Sequence, residues 1–202
     1  MNQEIQYPVM EAFYTLQGEG AHAGEPAFFI RLAGCDVGCH WCDVKESWNA
    51  ADHPPMSVQE LCQAALKHPA RNVVITGGEP CMYDLHALTD ELRKQGFQIW
   101  LETSGSSEIR GSFDWICLSP KKFKKPLKDS YAKAHELKVV VFHPSDLQWA
   151  TREAAGVNAS CRLFLQPEWE RRKEMEPLLI DFIKAHPEWS LSVQTHKYLG
   201  IP

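Results

Sequence analysis

The sequence has no excess of positive charge. Its 202 residues carry 21 Lys and Arg against 26 Asp and Glu, a formal net charge of -5, which argues against a general nucleic-acid-binding surface. It has no uninterrupted apolar run of membrane-spanning length. Its start, Met1-Asn-Gln-Glu-Ile-Gln-Tyr-Pro8, lacks the basic-then-apolar order of a secretory signal. A cytoplasmic protein with no membrane and no direct nucleic-acid partner is therefore expected. No internal repeat, low-complexity stretch or linker divides the chain, so residues 1–202 are expected to form one domain with a sizeable core.

A second closely spaced pair of cysteines or histidines is also missing. Structural zinc sites usually take two such pairs. The chain nevertheless has seven cysteines. In a cytosolic protein these point to metal or reduced thiols rather than disulfides. Cys62, Cys81, Cys117 and Cys161 stand alone and are expected to be reduced, buried, small apolar residues. The other three are packed into eight residues, Cys35-Asp-Val-Gly-Cys39-His-Trp-Cys42, a C-x3-C-x2-C spacing. Zinc held by these thiols would need His40 or a distant thiol as its fourth ligand. A four-iron cluster is usually held by four thiolates, so three leave one iron open. The amino and carboxylate groups of S-adenosylmethionine can fill that opening, and reduction of the complex then yields a carbon radical. The expectation is a [4Fe-4S] cluster at Cys35, Cys39 and Cys42.

Elsewhere strand-like and helix-like segments alternate. Strands are predicted at residues 27–33, 72–76, 98–103, 115–119, 137–142, 162–166 and 190–194. A helix is predicted over 57–66, where Ser57 and Glu60 form a capping box and Val58, Leu61, Cys62, Ala65 and Leu66 share one face. A second begins at a capping Asp84 and closes at Gly96. A third covers 176–183, with Pro177 in its first turn. The order suggests a parallel sheet with crossover helices. A full eight-fold barrel runs to about 250 residues, so an α/β fold of incomplete, abridged (β/α) barrel form is expected. Residues 43–56 and the lysine-rich 121–128 are expected to be helices cut to loops.

Polar residues gather where the predicted strands stop: Cys35, Thr76-Gly-Gly-Glu-Pro80, Glu102-Thr-Ser-Gly105, Ser119-Pro-Lys121, Gln166-Pro-Glu168 and Gln194-Thr-His-Lys197. In α/β barrels the carboxyl ends of strands carry the active site. Each motif alone also reads as an ordinary turn; six aimed at one mouth would surround the cluster. Gly77 and Gly78 permit close backbone approach to a ligand, and Glu79 could accept a hydrogen bond from an ammonium group. Arg31 shares a strand face with Phe29 and Ala33 and needs an anionic partner if buried. That partner is either a substrate carboxylate, which its planar fork suits, or an internal Asp or Glu.

Taken together, C-x3-C-x-aromatic-C and Gly-Gly-Glu-Pro resemble the radical S-adenosylmethionine superfamily. Thr15-Leu-Gln-Gly-Glu-Gly20, Phe29-Ile-Arg-Leu-Ala-Gly-Cys35, Trp41-Cys-Asp43, Ile75-Thr-Gly-Gly-Glu-Pro80, Glu102-Thr-Ser-Gly105, Ser119-Pro-Lys121 and Gln194-Thr-His-Lys197 are similar to the 7-carboxy-7-deazaguanine synthase family. That resemblance implies ring contraction of 6-carboxy-5,6,7,8-tetrahydropterin to 7-carboxy-7-deazaguanine with release of ammonia. The route leads to queuosine in transfer RNA or to related deazapurines. It implies an adenosyl radical that takes the hydrogen at C6, a flavodoxin or ferredoxin as electron donor, and a homodimer. Carried over residue by residue, Leu16, Gln17, Gly18, Arg31 and Thr76 would bind the pterin. Gly78, Glu79, Ser119, Lys121, Gln166 and Glu168 would surround S-adenosylmethionine, and Trp41 would shield the cluster beside the adenine.

One position departs from the family. Typical members have threonine directly after the Cys-Asp that closes the cluster motif, and its hydroxyl helps bind Mg2+. This chain has Val44, and a hard cation requires oxygen ligands. Asp43, Ser47 or water would take over, or a protein cation such as Lys45 would fill the role. Two rival readings are a glycyl-radical activating enzyme, which uses the same cysteine spacing on a partner protein, and a non-catalytic module stabilised by zinc or an Fe-S cluster. Leu16-Gln-Gly-Glu19 and Arg31 favour a small anionic substrate.

Overall fold

A computed structural model describes residues 4–202. Its frame is one nine-stranded sheet in the order β3-β1-β2-β4-β5-β6-β7-β8-β9. The strands are β1 (Gln6–Leu16), β2 (Pro26–Leu32), β3 (Pro55–Ser57), β4 (Asn72–Gly77), β5 (Gln98–Thr103), β6 (Trp115–Leu118), β7 (Glu136–Val141), β8 (Arg162–Pro167) and β9 (Trp189–Leu191). From β2 onward through β4 to β9 every neighbouring pair is parallel. The sheet ends at β3 and β9 instead of closing, so the barrel is incomplete, as its length implied. An antiparallel β1 on the edge of β2, and β3 on the edge of β1, were not anticipated.

Crossovers are made by α1 (Val58–Leu66), α2 (His86–Lys94), α3 (Lys128–Lys133), α4 (Asp146–Ala154) and α5 (Arg172–Ala185), with a short α6 (Thr195–Leu199) after the last strand. No helix among the described residues is long and apolar enough to cross a membrane. Residues 43–56 are reduced to two 3-10 turns and β3. Lys121 and Lys124 close a tight turn by an isolated bridge.

Side chains alternate across a strand with a period of two, and this sorts the sheet's two faces. Phe28, Ile30, Val73, Ile75, Ile99 and Leu101 pack with Leu61, Leu88 and Leu92 of α1 and α2. Leu137, Val139 and Leu165 pack with Met175 and Leu179 of α5. The opposite face carries Phe29, Val74 and Trp100. By the same alternation it also carries Arg31, Thr76, Glu102, Lys138 and Gln166. Arg31, Thr76, Glu102 and Gln166 each lie next to last in their strands, and Lys138 lies deeper, third of six in β7. One face therefore builds the core and the other builds the site.

Local capping follows the sequence at α1. Ser57 Oγ accepts from Glu60 N at 3.2 Å and Glu60 Oε2 accepts from Ser57 N at 2.7 Å. Ser57→Ala is expected to cost about 1 kcal/mol, read as a lower urea midpoint with an unchanged slope.

Three boundaries differ from expectation. Asp84 sits one residue too early to be the N-cap; its Oδ1 accepts from His86 N at 3.0 Å in an Asx turn. Helix α5 starts four residues before Glu176, so Pro177 lies inside it. Glu168 holds the turn just before it, accepting from Glu170 N and Arg171 N at 3.2 and 3.1 Å. Pro177 then removes only the bond to the carbonyl of Lys173. Finally, β9 stops at Leu191, and Gln194-Thr-His-Lys197 opens α6 instead of ending a strand.

Candidate active site

The carboxyl ends of the strands surround a cavity of about 940 Å³. Its wall takes Cys35, Cys39 and Cys42 from the loop after β2, Thr76 to Gly78 from β4, Glu102 to Ser104 from β5, Ser119 and Lys121 from β6, Lys138 from β7, and Gln166 to Glu168 from β8. The C-terminal segment completes it with Gln194, His196 and Lys197.

The cysteine loop is held from both sides by backbone. Gly34 N donates to Ser47 O at 2.6 Å and Cys35 N to Trp48 O at 3.1 Å, while Glu79 N donates to Gly34 O at 2.9 Å. Gly34 and Gly38 have φ of +101° and +73°, a region that L side chains rarely adopt. Burial pushes the Cys35 thiol up and Cys39 up to about 11; the Lys121 ammonium partly opposes this at Cys39. Thiols in this position ionise when a metal takes the charge. All three thiols line one side of the cavity. A four-iron cluster binds its thiolates on separate irons, and three thiolates leave one iron open toward the cavity. The donor set therefore fits the cluster.

Beneath the cavity lies a buried ionic group. Lys138 Nζ donates to Glu19 Oε2 at 2.6 Å and Glu102 Oε2 at 2.9 Å. Gln194 Nε2 donates to Glu19 Oε1 at 2.8 Å, and Gln17 Nε2 to Glu102 Oε1 at 3.3 Å. Although burial favours the neutral acid, the Lys138 charge holds Glu19 down at about 2. Glu102 is pushed up, by burial first and then by Glu136 and Glu19. On the strand beside the cysteine loop, Arg31 Nε donates to Glu11 Oε1 at 2.6 Å. Arg31 nevertheless lines the cavity. The internal carboxylate of the second reading is therefore Glu11, which takes the Nε–H, and the side chain is still part of the cavity wall.

Residues 29–137 match the Radical SAM superfamily. The 7-carboxy-7-deazaguanine synthase of Flavobacterium psychrophilum is 51% identical, over 96% of this chain and 92% of the relative. The synthase of the same name from Synechocystis is 49% identical, over 98% and 94%. The crystal structure of QueE from Escherichia coli superposes with a TM-score of 0.84 at 36% identity, covering 95% of each chain.

This chain belongs to the 7-carboxy-7-deazaguanine synthase family of radical SAM proteins.

The cavity brings together nearly all residues that the family motifs singled out. Leu16, Gln17, Gly18, Arg31, Trp41, Thr76 and Gly78 line it. So do Ser119, Lys121, Gln166 and Glu168. Lys121 Nζ donates to Ser119 O at 2.5 Å and Ser119 Oγ at 2.7 Å, and lies 5.7 Å from the Trp41 ring centre. Gly78 meets the wall through its backbone: a Cβ there would lie 2.4 Å from Gly34 O, so close packing on the cysteine loop already requires glycine.

Glu79 is placed differently from the other motif residues. It is 1% exposed and absent from the cavity wall. Its oxygens accept from Thr103 Oγ1 at 2.5 Å, Cys81 N at 3.1 Å, Ser104 N at 2.8 Å and Ser104 Oγ. It ties the end of β4 to the end of β5, and each of its oxygens already accepts two hydrogen bonds. Its position in a strand-end motif suggested a ligand role, but partners from the next strand consume it.

Several wall residues escaped the site assignment. Lys138 breaks an apolar strand just as Arg31 does, a signal that could have found it. Glu19 and Glu102 sit within the family motifs. Trp48 and Trp169 line the cavity from loops and carry no comparable signal. His196 also lines it, stacked so tightly on Gly18 that a Cβ there would lie 2.0 Å from its Nδ1; burial holds its pKa down. His143 bonds Ser145 at 2.9 Å in an exposed turn and serves locally. Cys62, Cys81, Cys117 and Cys161 are free, buried and outside the wall.

Proposed function

We propose that this protein is a 7-carboxy-7-deazaguanine synthase that contracts 6-carboxy-5,6,7,8-tetrahydropterin and releases ammonia. The observation that carries the reading is the sharing of one cavity by the three-cysteine rim and by Arg31, within a chain 36–51% identical to synthases of that name. Cys35, Cys39 and Cys42 would hold the cluster, and Gly78, Ser119, Lys121, Gln166, Glu168 and Trp41 would surround S-adenosylmethionine. When bound, these groups supply a carbon-centred radical able to take a hydrogen atom from the substrate.

The remaining work falls to the chain. The Arg31 Nη groups hold the substrate carboxylate by charge-assisted hydrogen bonds. Leu16, Gln17, Gly18 and Thr76 shape the space for the pterin, and Glu19 and Glu102 offer acceptor oxygens to its N–H edge. Positioning one carbon–hydrogen bond and excluding competing partners is the main contribution a protein makes to such chemistry. The same reading makes the chain a single domain, a cytoplasmic homodimer, and the recipient of electrons from a flavodoxin or ferredoxin. It contacts no nucleic acid directly. Its product feeds a tRNA base or another deazapurine.

Anaerobic turnover of reconstituted protein with dithionite, S-adenosylmethionine and the pterin acid, followed by mass spectrometry, tests the reading. Formation of the deazaguanine acid supports it. Full cluster with uncoupled cofactor cleavage and no such product overturns the substrate assignment. Arg31→Ala is expected to lower kcat/KM about ten- to a hundredfold, mostly through KM, at unchanged cluster content. Unchanged turnover would remove Arg31 from substrate binding.

A further inference from the structure

The family resemblance brings a magnesium ion with it, and this chain's residues do not fit one. Val44 lines the cavity at the position in question, and its hydrocarbon side chain offers no oxygen to a hard cation. The neighbours do not compensate. Ser47 is 0% exposed, outside the wall, and donates its hydroxyl to Val44 O at 2.7 Å. Lys45 is exposed and also outside the wall. Asp43 Oδ2 accepts from Lys197 Nζ at 2.6 Å and from Gln194 Nε2 at 3.4 Å. The one carboxylate among these neighbours thus already has a cation against it.

We propose that the Lys197 ammonium is the substrate-positioning cation at this corner of the cavity, and that the reaction needs no divalent ion. The inference rests on the substrate class assigned above. Lys197 is placed from three directions: by α6, by the Asp43 carboxylate, and by the Trp169 ring, whose centre lies 5.2 Å from Nζ. Its side chain is 21% exposed and lines the cavity. An ammonium has three N–H donors, and Asp43 is its one hydrogen-bond acceptor among the described residues. The other donors can meet an anionic ligand in the cavity. Unlike a bound ion, this charge is covalently attached and does not exchange with the solvent.

The test uses cluster-loaded protein in metal-depleted buffer. Mn2+ serves as a paramagnetic probe of the divalent site, with S-adenosylmethionine and the pterin acid present. The free-Mn2+ EPR signal is expected to stay undiminished, and turnover to stay flat from metal-free to millimolar Mg2+. Lys197→Met should raise KM about tenfold or more with cluster content unchanged, and Lys197→Arg should recover part of that loss. Stoichiometric Mn2+ binding, or turnover that rises with Mg2+, overturns the proposal while leaving the synthase reading intact. A wild-type KM in Lys197→Met overturns the positioning role. If no Mg2+ concentration gives deazaguanine acid, the synthase reading itself falls, and with it the positioning role; the Mn2+ signal then still decides whether a divalent site exists.

Discussion

Cys39→Ala is expected to abolish product formation and to leave the reconstituted protein without the broad visible absorbance of an Fe-S cluster. A cubane on three thiolates has no spare protein ligand, so losing one leaves two. No substitute is within reach. Cys62, Cys81, Cys117 and Cys161 are all buried and outside the cavity wall. Cys161→Ala is the matching control, with cluster content and turnover expected at the wild-type level. Iron and sulfide analysis checks both variants. A Cys39→Ala protein that retained four irons per chain and made product would overturn the assignment of the cysteine rim.

The site was legible in the sequence to the extent that its residues announce themselves at strand ends. A cysteine spacing, a Gly-Gly pair and a charged residue inside an apolar strand are local signals, and the open barrel brings them to one mouth because parallel strands all end on the same side. What stayed hidden depends on partners far along the chain. Glu79 looked free because nothing near it in sequence announces that Thr103 and Ser104 take its oxygens. Arg31 looked undecided, and the structure keeps it so by giving Nε to Glu11 while the side chain still lines the cavity. Strand β1 is not evident in the sequence, because its register shifts between Val9 and Glu11, which breaks the period-two alternation that marks a strand. Ser190-Leu-Ser-Val alternates like a strand, so the sequence predicts a longer last strand than the chain forms. The chain instead leaves the sheet at Ser192, whose N donates to Leu165 O at 2.9 Å, and turns Gln194 and Lys197 over the cavity.

Lys138→Met is expected to lower stability by about 3–5 kcal/mol near neutral pH, the usual result of removing one partner from a buried ion pair. The Lys138 side chain is 4% exposed, and its two carboxylate partners are themselves largely covered. Met has similar length and no charge, so packing survives while Glu19 and Glu102 lose their common cation. The pH dependence separates this electrostatic cause from a packing defect. Glu19 is held at about 2, below its ordinary 4.5. In the wild type it therefore contributes stability that is present above the ordinary value and lost as pH falls through about 2. Glu102 is shifted upward, so its contribution has the opposite sign: present at low pH and lost as pH rises through its folded value. Without Lys138 the burial of Glu19 is no longer opposed. Its pKa then rises as well, and the variant gains stability relative to wild type as both acids take up protons. The gap between wild type and Lys138→Met should accordingly narrow when urea unfolding is repeated from pH 7 down to pH 5. A gap that stays constant across that range would place the loss in packing and remove the ion group from the account of how the cavity floor is held.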